Sequence, residues 1–153
     1  MTSLCCDVLT ALKGKTLATA ESCTGGMIGS VLTQIPGASE VYKGGVISYT
    51  NAVKQKVLGV QKETLQQFGA VSAQTAQEMA CGARKLLKAD YAVSVTGLAG
   101  PGGDASGNKV GTVFIGFESA NVSVVKKYLF NGDREEVRKQ AAFAALRLIL
   151  ENA

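Results

Sequence analysis

The sequence predicts an α/β fold, with helices on both faces of a mixed, mostly parallel sheet of about five strands. Three observations predict it. Segments with helical spacing alternate with short β-branched segments in the order α-β-α-β-α-α-β-β-β-α, the pattern of strands joined by crossover helices. The last two strand-like runs, "VGTVFIGFE" and "VSVVKKYLF", are separated by a tight connection and form an antiparallel hairpin. At 153 residues, with no internal repeat and no linker, the chain suits one domain spanning 1–153.

Each element follows from its local pattern. Residues 3–13 carry Leu4, Cys5, Val8, Leu9 and Leu12 at helical spacing, and Gly14 ends the helix. "KTLATA", residues 15–20, is a short strand in the middle of a sheet. Glu21 to Gly26 form a turn. Met27, Ile28, Val31, Leu32 and Ile35 line a second helix, which Pro36-Gly37 stop. "GGVISYT", residues 44–50, is a strand ending at Tyr49. Asn51 caps a short helix through "AVKQKVLGV", and residues 61–70 form a further short helix or turn. Ser72 caps a longer helix with Ala76, Met79, Ala80, Ala83 and Leu87 inward. "DYAVSVT", residues 90–96, is a strand, and the Gly-rich "GLAGPGGDASGNK" follows without periodicity. Asp133 and Glu136 start the last helix as a capping box, with Val137, Ala141, Ala144, Ala145 and Leu148 as its buried stripe.

Composition excludes several chemistries. The chain contains no histidine, so neither a Ser-His-Asp nor a Cys-His triad can form within it. A general base must be a lysine, a carboxylate, a tyrosinate or a terminal amine. The four cysteines (Cys5, Cys6, Cys23 and Cys81) match no C-x-x-C spacing, so no metal site is expected. Adjacent Cys5 and Cys6 read as small core residues. No run of about 18 apolar residues exists to span a membrane, and the N-terminus lacks the basic region of a secretory signal. A cytoplasmic location is expected. Net charge is +4, with the cations scattered. That disfavours nucleic acid and suits an acidic small molecule.

Ligands of open α/β sheets gather at the carboxyl ends of the strands, and three segments fall there. In "ESCTGG", Ser22, Cys23 and Thr24 stand at a helix start, where free N–H groups favour an oxyanion or a phosphate; equally, Ser22 or Thr24 could simply cap that helix. In "SYTNAVK", Lys54 near a hydroxyl could act as a base once desolvated, or lie exposed on a helix surface as most lysines do. "TGLAGPGGDASGNKVGT" has enough glycine to wrap an anion, yet matches neither G-x-x-x-x-G-K-[ST] nor a placed G-x-G-x-x-G. Arg134 and Arg138, four apart, could grip a phosphate or form helical ion pairs with Glu135 and its neighbours.

The motifs "ATAESCTGG", "GGVISYTNAVKQKVLGV", "FGAVS", "ADYAVSVTGLAGPGG" and "VGTVFIGF", in this order over roughly residues 15–150, resemble the C-terminal domain of the competence/damage-inducible CinA family. The resemblance implies a three-layer α/β/α domain of the stand-alone form. It also implies hydrolysis of the carboxamide of nicotinamide mononucleotide by a serine with a lysine. Carried over, Ser22 is the nucleophile, Lys54 the base and Tyr49 an assisting group in the same motif. Thr96 and Gly97 match the substrate loop. The substrate-contacting set expected around them is Glu21, Cys23, Thr24, Gly25, Gly26, Asn51, Thr96, Gly97, Gly100 and Arg134. Amides of Cys23–Gly26 are expected to hold the oxyanion. No cofactor or metal is required for acyl transfer of this kind. Cys23 is the rival nucleophile. The alternative function is a non-catalytic nucleotide-binding or regulatory module. A homo-oligomer, with a dimer favoured, is expected; the alanine-rich last helix and the apolar hairpin could supply its face or could simply pack on the sheet.

Overall fold

The computed structural model describes residues 1–153. Its strands are β1 (Leu17–Glu21), β2 (Tyr42–Ile47), β3 (Tyr91–Gly97), β4 (Thr112–Glu118) and β5 (Ser123–Leu129). Its helices are α1 (Thr2–Ala11), α2 (Met27–Leu32), α3 (Asn51–Leu58), α4 (Lys62–Phe68), α5 (Ala73–Leu87) and α6 (Arg134–Asn152). A 3-10 turn at Ala38–Glu40, not foreseen from the sequence, lies between α2 and β2.

The five strands form one mixed sheet in the order β2-β1-β3-β4-β5. β2, β1 and β3 run parallel, while β3/β4 and β4/β5 are antiparallel. Alternating side chains along β1 and β3 divide the core in two. Leu17, Val93 and Val95 join a 22-residue cluster with α1, α2 and α6. Ala18, Ala20 and Ala92 face α5 and the α3–α4 segment in a cluster of nine. Small residues allow α5 to lie close to the sheet: Ser94 Oγ donates to the Ala76 carbonyl at 2.6 Å.

The helix starts follow their caps. Ser72 accepts from Thr75 N at the start of α5, and Asp133 with Glu136 forms the full capping box of α6. Three expectations are corrected. Asn51 is the first residue of α3, and Thr50 caps it by accepting from Val53 N. Cys6 is exposed while Cys5 is buried, because consecutive helical residues point about 100° apart and cannot share a face. β2 ends at Ile47, two residues before Tyr49, because its ladder runs only as far as Glu21, the last residue of β1. One further bond, Ser48 N to the Glu21 carbonyl at 2.9 Å, carries the chain past the strand end. No helix is long and apolar enough to cross a membrane.

Candidate active site

The carboxyl ends of β1 and β3, the residues after β2 and the start of α3 converge on one cavity of about 650 Å³. Of the expected site residues, it brings together Ser22, Cys23, Tyr49, Asn51, Lys54, Thr96, Gly97, Gly100 and Arg134. Glu21, Thr24, Gly25 and Gly26 are not among its walls.

Lys54 is among the largest fully buried side chains, 1% exposed, and has no carboxylate partner. It lies on the inner face of α3, so its stem packs toward the sheet. Its Nζ lies 3.0 Å from Ser22 Oγ and donates to the carbonyls of Ser48 at 2.8 Å and Tyr49 at 3.1 Å. Burial disfavours the ammonium and holds the pKa down at about 8, with the neighbouring Cys23 acting weakly the other way. These contacts orient the neutral amine. An amine has two hydrogens and one lone pair, and two carbonyls take the hydrogens. The lone pair is left for the Ser22 hydroxyl. Ser22 itself is 7% exposed and faces the cavity.

The turn between β1 and α2 is built around Glu21. Its carboxylate is 2% exposed. Oε1 accepts from Thr24 Oγ1 at 2.8 Å and Ile28 N at 2.9 Å, and Oε2 accepts from Gly29 N at 3.1 Å. Two of the amides at the start of α2 are therefore already taken. This corrects the expectation that the helix start faces a ligand: Glu21 and Thr24 bind each other and α2 beneath the cavity. Gly25 and Gly26 have positive φ, +60° and +102°, and make the reversal into α2. The amides of Cys23 and Thr24 donate to no protein group. On the outer side, Arg138 Nε donates to the Cys23 carbonyl at 3.0 Å and its NH2 to the Thr24 carbonyl at 3.2 Å. Arg138 is thereby a tie from α6 to the turn, and neither a helical ion-pair partner nor a cavity cation.

Cys23 lines the cavity but is buried, and burial raises its thiol to about 11. The thiolate that a sulfur nucleophile needs is disfavoured there. Tyr49 also differs from the reading of an assisting hydroxyl. The residue is 57% exposed, its hydroxyl accepts from Arg134 NH2 at 3.1 Å, and its carbonyl is the atom that accepts from Lys54. Arg134 also donates to the Gly100 carbonyl at 2.7 Å, so it bridges the rim from the β2–α3 connection to the Gly-rich loop. Thr96 Oγ1 donates to the Ala70 carbonyl at 2.7 Å and ties β3 to the chain after α4.

Sequence reasoning missed one wall. Leu65, Gln66, Gln67 and residues 69–71 line the cavity from α4 and its exit, beside Asp104, Ala105 and Ser106 of the Gly-rich loop already singled out as able to wrap an anion. The lining residues of α4 and its exit have no nucleophile and no charge. The available signal was "FGAVS", which also carries the resemblance. Asp104 is not free: it accepts from Ser106 N, Asn108 N and Asn108 Nδ2, which folds the loop upon itself.

The sequence profile of the CinA C-terminal domain matches residues 2–153. A CinA-like protein of Thermotoga neapolitana is 50% identical over 132 residues, which is 86% of this chain and 32% of that protein. A putative competence-damage inducible protein of Caldanaerobacter subterraneus is 47% identical over 142 residues, covering 91% of this chain and 34% of that one. The chain thus spans about a third of the length of the curated relatives it matches. Among solved structures, the competence damage-inducible protein A of Klebsiella pneumoniae superposes with a TM-score of 0.96 at 37% identity, covering 99% of this chain and 95% of that one. The competence/damage inducible protein of Agrobacterium tumefaciens gives 0.91 at 40% identity, with 98% and 93% covered. With a matching profile over nearly its whole length, the chain belongs to the CinA C-terminal domain family.

Proposed function

We propose that the protein hydrolyses the carboxamide of nicotinamide mononucleotide to nicotinate mononucleotide and ammonia, with Ser22 as nucleophile and Lys54 as base. The observation that carries the reaction class is the buried Lys54 amine, without a counter-charge, 3.0 Å from a cavity-facing serine hydroxyl. Burying an unpaired ammonium costs several kcal/mol. A non-catalytic module gives no reason to bear that cost, whereas a base working near neutral pH requires it. The substrate is inferred from the motif resemblance. The cavity suits it in size, since small-molecule sites run about 300–1,000 Å³, and Arg134 offers a guanidinium at the rim for the 5′-phosphate.

In this reading Ser22 Oγ attacks the amide carbon as Lys54 Nζ takes its proton. The amides of Cys23 and Thr24, the free donors nearest Ser22, hold the developing oxyanion. Lys54 returns the proton to the departing nitrogen, ammonia leaves, and an ester to Ser22 remains. Water then attacks the ester with Lys54 again accepting the proton, and nicotinate mononucleotide and free Ser22 are restored. The partner in this reading is a small nucleotide, with no cofactor.

The test is ammonia release from nicotinamide mononucleotide by the purified protein. Ser22→Ala should abolish nearly all turnover, and Cys23→Ala should retain most of it. The reverse result would remove Ser22 from the role. Binding of the nucleotide without ammonia release by the wild type would leave the non-catalytic module standing instead.

A further inference from the structure

We infer that Glu21 is a positioning residue for catalysis: its buried carboxylate holds the Ser22 turn in register, so that Ser22 Oγ meets the Lys54 lone pair. This rests on the Ser22–Lys54 reading above and extends it to a residue that touches neither substrate nor base.

Three observations support the assignment. First, the carboxylate accepts three hydrogen bonds, at least one on each oxygen, yet has no cationic partner: no ion pair includes it. Buried carboxylates without an ion pair are costly. The N-cap of α2 is Gly26, whose φ of +102° keeps an ordinary Ser, Thr or Asp cap from standing there, so these two α2 amides depend on Glu21. Second, the bonds run from residue 21 to residues 24, 28 and 29 and close the chain carrying Ser22 into a ring. Third, successive strand residues point to opposite faces. Glu21 points toward α2 and Ser22 toward α3. Fixing one face fixes the other, so the bonds of Glu21 set the direction of Ser22. Ser22 needs that external control, because apart from Lys54 its hydroxyl has only a 3.5 Å contact to the Tyr49 carbonyl.

The shape of the carboxylate matters, because Oε1 and Oε2 serve different donors. In Glu21→Gln the amide oxygen can keep Thr24 and Ile28, but the NH2 group then faces Gly29 N–H, donor against donor. Thr24→Val removes one donor and leaves the backbone bonds. Glu21 is not among the groups that set the pKa of Lys54, so neither change should move the pH midpoint of reactivity.

The experiment measures two things on the whole chain: kcat and KM for nicotinamide mononucleotide, and the second-order rate of Ser22 labelling by a fluorophosphonate probe, site-checked by mass spectrometry. Labelling reports the Ser22–Lys54 pair whatever the substrate is. Expected for Glu21→Gln is a loss of tenfold or more in both kcat and labelling rate. KM should stay within about twofold, and the pH midpoint should stay near 8. Thr24→Val should lose a few-fold in the same pattern. A purely structural role would lower the melting temperature while labelling each folded molecule at the wild-type rate, and that result overturns the inference. A raised KM with unchanged kcat also overturns it, in favour of a substrate contact. If Glu21→Gln does not fold, Thr24→Val decides alone. A wild type that is not labelled at Ser22 overturns the nucleophile and this inference with it; equal labelling of wild type and both variants overturns the inference alone.

Discussion

Glu21 and Lys54 are both buried charged side chains without an ion-pair partner, and the fold treats them in opposite ways. Glu21 is surrounded by donors: three hydrogen bonds converge on its oxygens, and nothing remains for it to do but hold the turn. Lys54 is surrounded by acceptors, and two of its three polar contacts are carbonyls that cannot give a proton back. The third is a hydroxyl that can. The difference lies in what is left unsatisfied. A charge held by donors on both oxygens fixes geometry, while a desolvated group with one exchangeable partner can react. The ion pairs that do exist, Lys126–Glu151 and Glu135–Lys139, are half-exposed surface contacts and contribute little.

The largest effect that tests this contrast is Lys54→Met. The methyl thioether fills nearly the same volume but has no proton to move. We expect turnover to fall by about 10²–10⁴-fold, the usual range for losing a general base. Far-ultraviolet circular dichroism should stay at the wild-type signal. Turnover within a few-fold of wild type would remove Lys54 from the chemistry and make it a structural curiosity of the core.

A second effect is expected in stability, and its sign is fixed by the lowered pKa. Lys54 titrates at about 8 when folded and near 10.5 when unfolded. Between those values the unfolded chain holds a proton that the folded chain has released, so stability rises with pH across the window. The gain relative to Lys54→Met should reach roughly 3 kcal/mol by pH 10.5. Urea unfolding of both proteins at pH 7, 8, 9 and 10 measures it. A flat difference across that range would mean that the lysine is as well solvated in the folded state as in the unfolded one. The kcat/KM profile should rise through the same midpoint.

The contrast also explains what could be read from the sequence. The order of strands and helices was legible because each carries its own period and cap, such as Ser72 for α5 and Asp133 for α6. The pairing of Ser22 with Lys54 was legible as a motif match, while the missing histidine by itself required only some base other than an imidazole. What was not legible was direction. "ESCT" contains one structural carboxylate, one nucleophile candidate, one buried thiol and one structural hydroxyl, and local sequence gives all four equal standing. Only the alternation at the end of β1, together with α2 on one face and α3 on the other, sorts them. Tyr49 presents the same ambiguity. Its motif position suggested an acting hydroxyl, while the contact that reaches Lys54 is a backbone carbonyl, which any residue would supply. The wall at Gln66–Val71 carries no chemistry of its own and is held at the site by two ties, Thr96 Oγ1 to the Ala70 carbonyl and Asn108 Nδ2 to the Val71 carbonyl.

The smallest effect expected is that of Tyr49→Phe, and it separates the two parts of one residue. The carbonyl that orients Lys54 is unchanged by the substitution. The hydroxyl is exposed and accepts a single bond from Arg134, worth on the order of 1 kcal/mol or less in such a setting. Its loss should leave kcat within about twofold and raise KM a few-fold, because Arg134 keeps its bond to Gly100 but loses the contact that aims its second nitrogen across the rim. The midpoint of the pH profile should not move, since burial and Cys23 are the influences on the Lys54 pKa. A turnover rate reduced about a hundredfold, as for loss of an acid–base group, would place the Tyr49 hydroxyl in the reacting group after all. Reactivity would then belong to three residues of the cavity instead of a buried lysine and the serine it faces.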